Sequence, residues 1–385
     1  MKIVVQKYGG TSLSTIEKIK KVAQNIVNKR KEGYEVVVVV SAMGKTTDKL
    51  LEMAHQISSS PDKRELDMLL TTGERQTISL LAISLRNLGY NAISLTGSQS
   101  GIITNTVHNN AKILEVRPYR IEDAIDESKI AIVAGFQGVS YLKEVTTLGR
   151  GGSDTTALAL TAALGAESCE IFSDVDGIYS ADPRVVDLPK KIDQISYEQM
   201  LEMAQSGAKV LATEAIRFAK HYKIKLYSKH AFKSKEGTFV TDKKILKDVI
   251  AVTSEDNLIF VKKSKDSLDR MLIWLLDNEI SYKELWSDKD DITFVFDKEN
   301  IHDDNSFLDW LDRCQVEVIE DYGKVSLIGN RLNSNTDILL ELVNILDSKR
   351  IEYSHLNLDH IKISMVVKKS IIKTLVNILH KEFIK

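Results

Sequence analysis

Apolar residues follow two rhythms over the first 240 positions. Short runs rich in β-branched residues, Lys2 to Gln6, Val36 to Val40, Ala92 to Leu95, Ile130 to Ala134, Glu170 to Ser173 and Ile224 to Tyr227, have the length and composition of buried strands. Between them the spacing changes to three or four, as in Ile16, Ile19, Val22, Ala23, Ile26 and Val27, which predicts a helix over 14–31. Ser14 with Glu17 three residues on has the form of a capping box for that helix. Further helices are predicted around 47–58, 65–87, 154–164, 197–205 and 208–221. Strands alternating with helices predict an α/β fold on a mostly parallel sheet with both faces covered.

From about Lys247 the pattern changes. Residues 257–262, 266–277, 281–286, 291–296, 304–313 and 315–320 read strand, helix, strand, strand, helix, strand, one βαββαβ unit. Residues 325–329, 335–348, 351–356, 361–367 and 369–382 repeat that order but stop one strand short. A strand at 249–253 precedes both, so the first unit is expected to be inserted within the second, with the early strand completing the later sheet. The predicted division is 1–240 for the large domain, 255–322 for the first small unit, and 248–254 plus 323–385 for the second.

Composition narrows the function classes. The 52 basic and 54 acidic residues balance to −2, which argues against a nucleic-acid footprint or a polybasic membrane surface. The longest apolar runs fall short of the ~20 residues of a spanning helix, and the N-terminus lacks signal-peptide form. No membrane or nucleic-acid partner is expected, and a cytoplasmic location is. Cys169 and Cys314 lack metal-ligand spacing and read as reduced thiols. Of 19 glycines, 17 precede residue 240, so turns that approach a ligand closely are expected in the large domain.

Five segments there could carry chemistry at strand ends, where open α/β sheets bind ligands. Lys7-Tyr8-Gly9-Gly10-Thr11-Ser12 offers backbone amides, a helix start and a mobile ammonium to a phosphate. Ser41-Ala42-Met43-Gly44-Lys45-Thr46-Thr47-Asp48 imitates the end of a Walker A loop, but the glycine needed five residues before Gly44 is Val39, and the P-loop reading fails. Its hydroxyls remain, with Thr46 read as a helix cap. Thr71-Thr72-Gly73-Glu74-Arg75 fits an exposed ion pair as well as a ligand group. Gly149-Arg150-Gly151-Gly152-Ser153-Asp154 places a carboxylate-binding guanidinium among glycines, with Asp154 either the cap of the next helix or an organiser of the site. Ser173 to Arg184 combines turn residues with Tyr179 and Arg184, which could stack on a base and meet a phosphate.

Taken together, KYGGTS at 7–12, SAMGKTTD at 41–48, TTGERQ at 71–76, GFQG at 135–138, TTLGRGGSDTTA at 146–157, SDVDGIYSADPR at 173–184 and GAKVL at 207–211 resemble the aspartokinase family along the whole chain. The resemblance implies an amino-acid-kinase αβα sandwich on a largely parallel sheet, followed by two ACT-like α+β units. It implies phosphoryl transfer from ATP, with Mg2+, to the β-carboxylate of L-aspartate, the first step toward lysine, threonine and methionine. Lys7 and Asp154 are implied as catalytic. Ser41, Thr47, Glu74, Arg150, Gly151, Gly152 and Ser153 are implied at aspartate, and Gly9, Gly10, Ser173, Asp174, Tyr179, Asp182, Arg184 and Lys209 at the nucleotide. A homodimer or higher homo-oligomer through the ACT-like units is implied as well.

The tail departs from the family. Regulatory units of this kind usually carry a glycine-rich or Pro-Gly turn after their first strand. Here those places read Lys262 to Ser267 and Gly329 to Thr336, and Arg350-Ile351-Glu352 stands where a Gly-Ile-Asn-type stretch belongs. Weak feedback inhibition is therefore expected. The rival readings are a kinase for another acid, against which Glu74 argues, and a non-catalytic amino-acid sensor, against which Lys7, Arg150 and Asp154 argue.

Overall fold

The computed structural model describes residues 2–208, 210–233, 236–265, 268–278, 280–298, 301, 304–313 and 316–384. Lys209, Ser267 and Cys314, named above, lie outside them. The chain packs into two units: Met1–Ile178, Lys191–Ala204 and Lys209–Ile245 form one, and Tyr179–Lys190, Gln205–Ala208 and Leu246–Lys385 the other.

In chain order the first unit and its continuations contain β1 (Lys2–Tyr8), α1 (Ile16–Lys31), β2 (Tyr34–Val40), α2 (Thr46–Ile57), α3 (Lys63–Leu70), α4 (Thr72–Asn87), β3 (Ala92–Leu95), β4 (Ile102–Thr104), β5 (Ile113–Val116), α5 (Tyr119–Asp126), β6 (Ile130–Ala134), β7 (Gln137–Ser140), β8 (Val145–Thr147), α6 (Gly152–Ala163), β9 (Ser168–Ser173), β10 (Ile178–Tyr179), β11 (Lys191–Ile192), β12 (Gln194–Ser196), α7 (Tyr197–Gln205), α8 (Thr213–His221), β13 (Leu226–His230) and β14 (Thr238–Thr241). Eight strands form one sheet in the order β12-β14-β13-β9-β1-β2-β6-β3. Its neighbours are parallel except β13 with β14.

The two faces of that sheet follow from alternation along its strands. Val4, Tyr8, Val36, Val38 and Val40 pack with Ile19, Val22, Ala23 and Ile26 of α1 and with Ile78, Leu81 and Leu85 of α4. The opposite face carries α6, whose apolar residues Ala157 to Leu160 are all buried, and which packs on β1, β2 and β9. A helix buried on nearly every side, with small and apolar residues through its middle, belongs in such an interior.

Three local expectations are corrected. The cap of α1 is Thr15, whose hydroxyl accepts from the Lys18 amide at 3.3 Å, because Ser14 closes a 3-10 turn over Gly10–Leu13 and donates to Thr11. The helix expected over 65–87 is two helices, broken at Thr71. There the Thr71 and Thr72 hydroxyls donate to the Met68 and Leu69 carbonyls, and the Thr71 carbonyl accepts from Gln137 at 3.1 Å. Thr46 caps nothing: its hydroxyl donates to the Met43 carbonyl at 2.7 Å. A second sheet, β5-β4-β7-β8, has no counterpart among the expected strands.

The second unit contains β15 (Val249–Glu255), β16 (Leu258–Ser264), α9 (Leu268–Asp277), β17 (Glu284–Ser287), β18 (Asp291–Asp297), α10 (Asp304–Arg313), β19 (Glu317–Ile319), β20 (Tyr322–Gly329), α11 (Thr336–Ser348), β21 (His355–Leu358), β22 (Lys362–Lys368) and α12 (Ile372–Phe383). Two antiparallel sheets form, β17-β18-β16-β19 and β15-β20-β22-β21. β15 thus takes in the second sheet the edge that β19 takes in the first. Residues 179–190 join this unit, with Ala181 and Val186 in one core with Val252, Leu327 and Leu379.

Candidate active site

β1 delivers Lys7. Because neighbouring strand residues point to opposite faces, Gln6 faces α1 while Lys7 faces α6. Its Nζ lies 2.6 Å from Asp154 Oδ1 on the first turn of α6, an ion contact off the line of a hydrogen bond. Both side chains are nearly buried, at 12% and 11% exposure. Asp154 is not the cap of its helix: Gly151, with φ +70°, holds that place.

Around Lys7 the backbone is drawn tight. The Gly9 amide donates to the Phe172 carbonyl at 3.1 Å, the Ser41 amide to the Tyr8 carbonyl at 3.1 Å, and the Gly44 amide to the Gly10 carbonyl at 2.9 Å. A β-carbon on Gly10 would stand 2.7 Å from the Ala42 carbonyl oxygen, so only glycine lets these two loops meet. Ser12, on the same turn, buries a hydroxyl with no partner among the described residues. Ser41 and Thr47 are half-buried at the end of β2 and the start of α2.

Glu74 comes to the same place from α4. It is 2% exposed, which excludes a surface pair with the exposed Arg75. One oxygen accepts from the Ala42 amide at 3.1 Å; the other is buried without a partner. Burial pushes its carboxyl up to about 7, against the opposing pull of its own and the Ala42 backbone amides. A buried carboxylate lacking a countercharge suits a cationic group on a ligand.

The loop after β8 turns Arg150 outward to solvent while Gly152, Ser153 and Asp154 are buried. A β-carbon on Gly151 would come within 2.2 Å of the Ala212 β-carbon, and the positive φ there is itself unfavourable for other residues. Ser173 ends β9, half-buried, and Asp174 is exposed. Tyr179, Asp182 and Arg184 belong to the second unit, where Arg184 pairs with Asp182 at 2.6 Å on an exposed surface.

Sequence reasoning missed Asp67. It is fully buried on α3 and binds the His108 ring at 2.6 Å, the Thr147 hydroxyl at 2.6 Å and the Asn109 amide at 3.1 Å. No local motif marks it, and the His108 and Thr147 partners lie 41 and 80 positions away. A hollow of about 700 Å³ lies on the other face of β1 from Lys7. Its buried Glu170 is already held by Lys229 at 2.6 Å and Gln6 at 2.8 Å, so it presents no unmet charge. Cys169 is buried and its thiol is pushed up to about 12 by that burial, an unreactive position.

The model of the amino acid kinase family matches residues 2–227. Aspartokinases from Geobacillus stearothermophilus and Mycolicibacterium smegmatis are each 40% identical to the chain across all of it, covering 97% and 96% of their own lengths. The chain belongs to the aspartokinase family. Its enzyme class is that of the family, an aspartate kinase. The fold is also that of E. coli aspartokinase III in complex with aspartate and ADP, with a TM-score of 0.86 at 24% identity and full coverage of both chains. Among the described residues, Ser12, Glu74 and Asp154 each bury a side-chain oxygen without a hydrogen-bond partner near these strand ends.

Proposed function

We propose that the protein transfers the γ-phosphoryl group of ATP to the β-carboxylate of L-aspartate. A carboxylate oxygen attacks the γ-phosphorus, the bond to the β–γ bridging oxygen breaks, and 4-phospho-L-aspartate and ADP leave. The observation that carries this reading is the buried, unpartnered oxygen of Glu74, which calls for an ammonium and so favours an α-amino acid over an acylated or nucleotide substrate.

The acceptor is already ionised at neutral pH, so no general base is needed. What the reaction requires is position and charge neutralisation on a loose transition state. Lys7 meets the transferring phosphoryl with the Gly9 and Gly10 turn, and Asp154 holds the Lys7 ammonium in place. Arg150, with Gly151, Gly152 and Ser153, takes the α-carboxylate, Glu74 the α-ammonium, and Ser41 and Thr47 complete the pocket. The nucleotide-side assignment of Ser173, Asp174, Tyr179, Asp182, Arg184 and Lys209 rests on the motif resemblance alone. Among the described residues no three Asp, Glu, His or Cys side chains converge into a metal cage. Mg2+ would accompany the phosphates of ATP and offset their charge.

The product is read as the start of the route to lysine, threonine and methionine, in the cytoplasm; among the described residues no helix is long and apolar enough to cross a membrane. The second unit is read as two ACT-like domains, 255–322 and 248–254 with 323–385, which join copies into a homodimer or larger homo-oligomer and exert weak feedback. ADP release combined with hydroxylamine trapping, run with aspartate, glutamate, N-acetylglutamate and a nucleoside monophosphate, tests the substrate. A hydroxamate from aspartate alone is expected; a product from another acid instead overturns the reading.

A further inference from the structure

The geometry points to Asp67 as a positioning residue that ties the two ends of the aspartate site together through Thr147 and the His108–Asn109 turn. This rests on the roles given above to Glu74 and Arg150.

Asp67 is fully buried, and its carboxylate is satisfied from three directions. The Thr147 hydroxyl donates to Oδ1 at 2.6 Å, the Asn109 amide donates to Oδ1 at 3.1 Å, and the His108 Nδ1 lies 2.6 Å from Oδ2. Thr147 ends β8, three residues before Arg150. Asp67 lies on α3, seven residues before Glu74, across the break at Thr71. The two routes are cross-braced. The Ala111 amide donates to the Thr147 carbonyl at 2.8 Å, the Leu148 amide to the Phe136 carbonyl at 2.9 Å, and Gln137 to the Thr71 carbonyl at 3.1 Å. Asn109, at φ +64°, holds a strained turn that the Asp67 bonds support. One carboxylate therefore sets the spacing between the helix that carries Glu74 and the loop that carries Arg150, without touching substrate.

The test compares steady-state kinetics of Asp67→Asn, Thr147→Val and the double variant. Asp67→Asn should raise the KM for aspartate about tenfold while the KM for ATP changes less than twofold. Thr147→Val should move the same parameter about threefold, and the double variant should fall short of the product of the two effects, since both loosen the hold on one carboxylate. Thermal melting is read in parallel. If both KM values rise together, or the double variant multiplies the two effects, Asp67 only supports the fold and the inference is wrong. Thr147→Val alone decides the matter if Asp67→Asn does not fold. Glu74→Gln and Arg150→Ala, measured beside them, separate the two levels. If they leave the aspartate KM unchanged, the roles of Glu74 and Arg150 fail and this inference with them. If they raise it and the Asp67 and Thr147 variants do not, this inference alone fails.

Discussion

The Lys7 ammonium and the Asp154 carboxylate stand 2.6 Å apart between a strand end and the first turn of a buried helix, both largely removed from water. An ion pair so placed is held by its surroundings, and removing one partner leaves the other buried and unmatched. Lys7→Ala should therefore lower kcat by about 100- to 1,000-fold, the range for losing one transition-state donor, with little change in aspartate affinity. Arg150→Ala should instead act mainly on the KM for aspartate. Steady-state kinetics of both variants check this, and equal loss of kcat and affinity in the two would contradict the assigned roles.

Glu74 predicts a proton exchange. Its carboxyl sits at about 7 against a usual value of 4.5 because burial disfavours the charge. An arriving ammonium reverses that preference, so aspartate binding at pH 7 should release about half a proton. Calorimetry in two buffers of different ionisation enthalpy reads this directly, and Glu74→Gln should abolish it. The sign for stability follows from the raised folded-state value: the free protein binds more protons than the unfolded chain between 4.5 and 7, so its stability falls as pH rises through that window. Glu74→Gln should remove roughly 3 kcal/mol of this decline at neutral pH.

Gly151 combines a positive φ with a neighbour that leaves no room for a side chain. Gly151→Ala should cost roughly 1–2 kcal/mol for the backbone alone and raise the aspartate KM through displacement of Arg150. Adding Ala212→Gly removes the contact but not the backbone strain, so only part of the loss should return. Full recovery in the double variant would show that space, not conformation, selects glycine there.

His380 on α12 shares a 2.8 Å hydrogen bond with Ser180, whose oxygen also accepts from the Lys190 amide. Burial, with a smaller contribution from Lys190, holds this histidine below its usual 6.5. A histidine depressed in the folded state loses stability as pH falls below the unfolded value, because the unfolded chain takes the proton first. Melting of the wild type should fall more steeply below pH 6.5 than melting of His380→Gln. Parallel curves would show that the residue does not titrate in the transition.

Lysine and threonine, titrated separately and together against kinase activity, should inhibit weakly. The segment after β20 runs through Arg331 at φ +57° and a short 3-10 turn where a Pro-Gly turn would be expected. Strong inhibition at sub-millimolar effector would refute the idea.

The sequence by itself determined the elements that local chemistry decides. Val36 to Val40 can only be a buried strand, and the spacing of Ile16 to Val27 can only be one helical face. The order of elements after Lys247 was visible too, including a strand at Val249 whose edge in the later sheet the structure then displayed. Motifs placed Lys7 at a strand end and Asp154 at a helix start, because glycines beside a charge mark close approach whatever lies around them, whereas Glu74 fell within a helix expected over 65–87. What only the tertiary structure decided depends on groups far apart in the chain. Whether Glu74 is a surface ion or a buried carboxyl near 7 depends on what covers it, and the amide that meets it is that of Ala42 in the loop after β2. The break at Thr71 depends on a glutamine 66 positions away, and the role of Asp67 on a threonine 80 away. Hydrophobic periodicity reports which face of an element is dry; a polar side chain's state is set by its partners, and those are brought together only by folding.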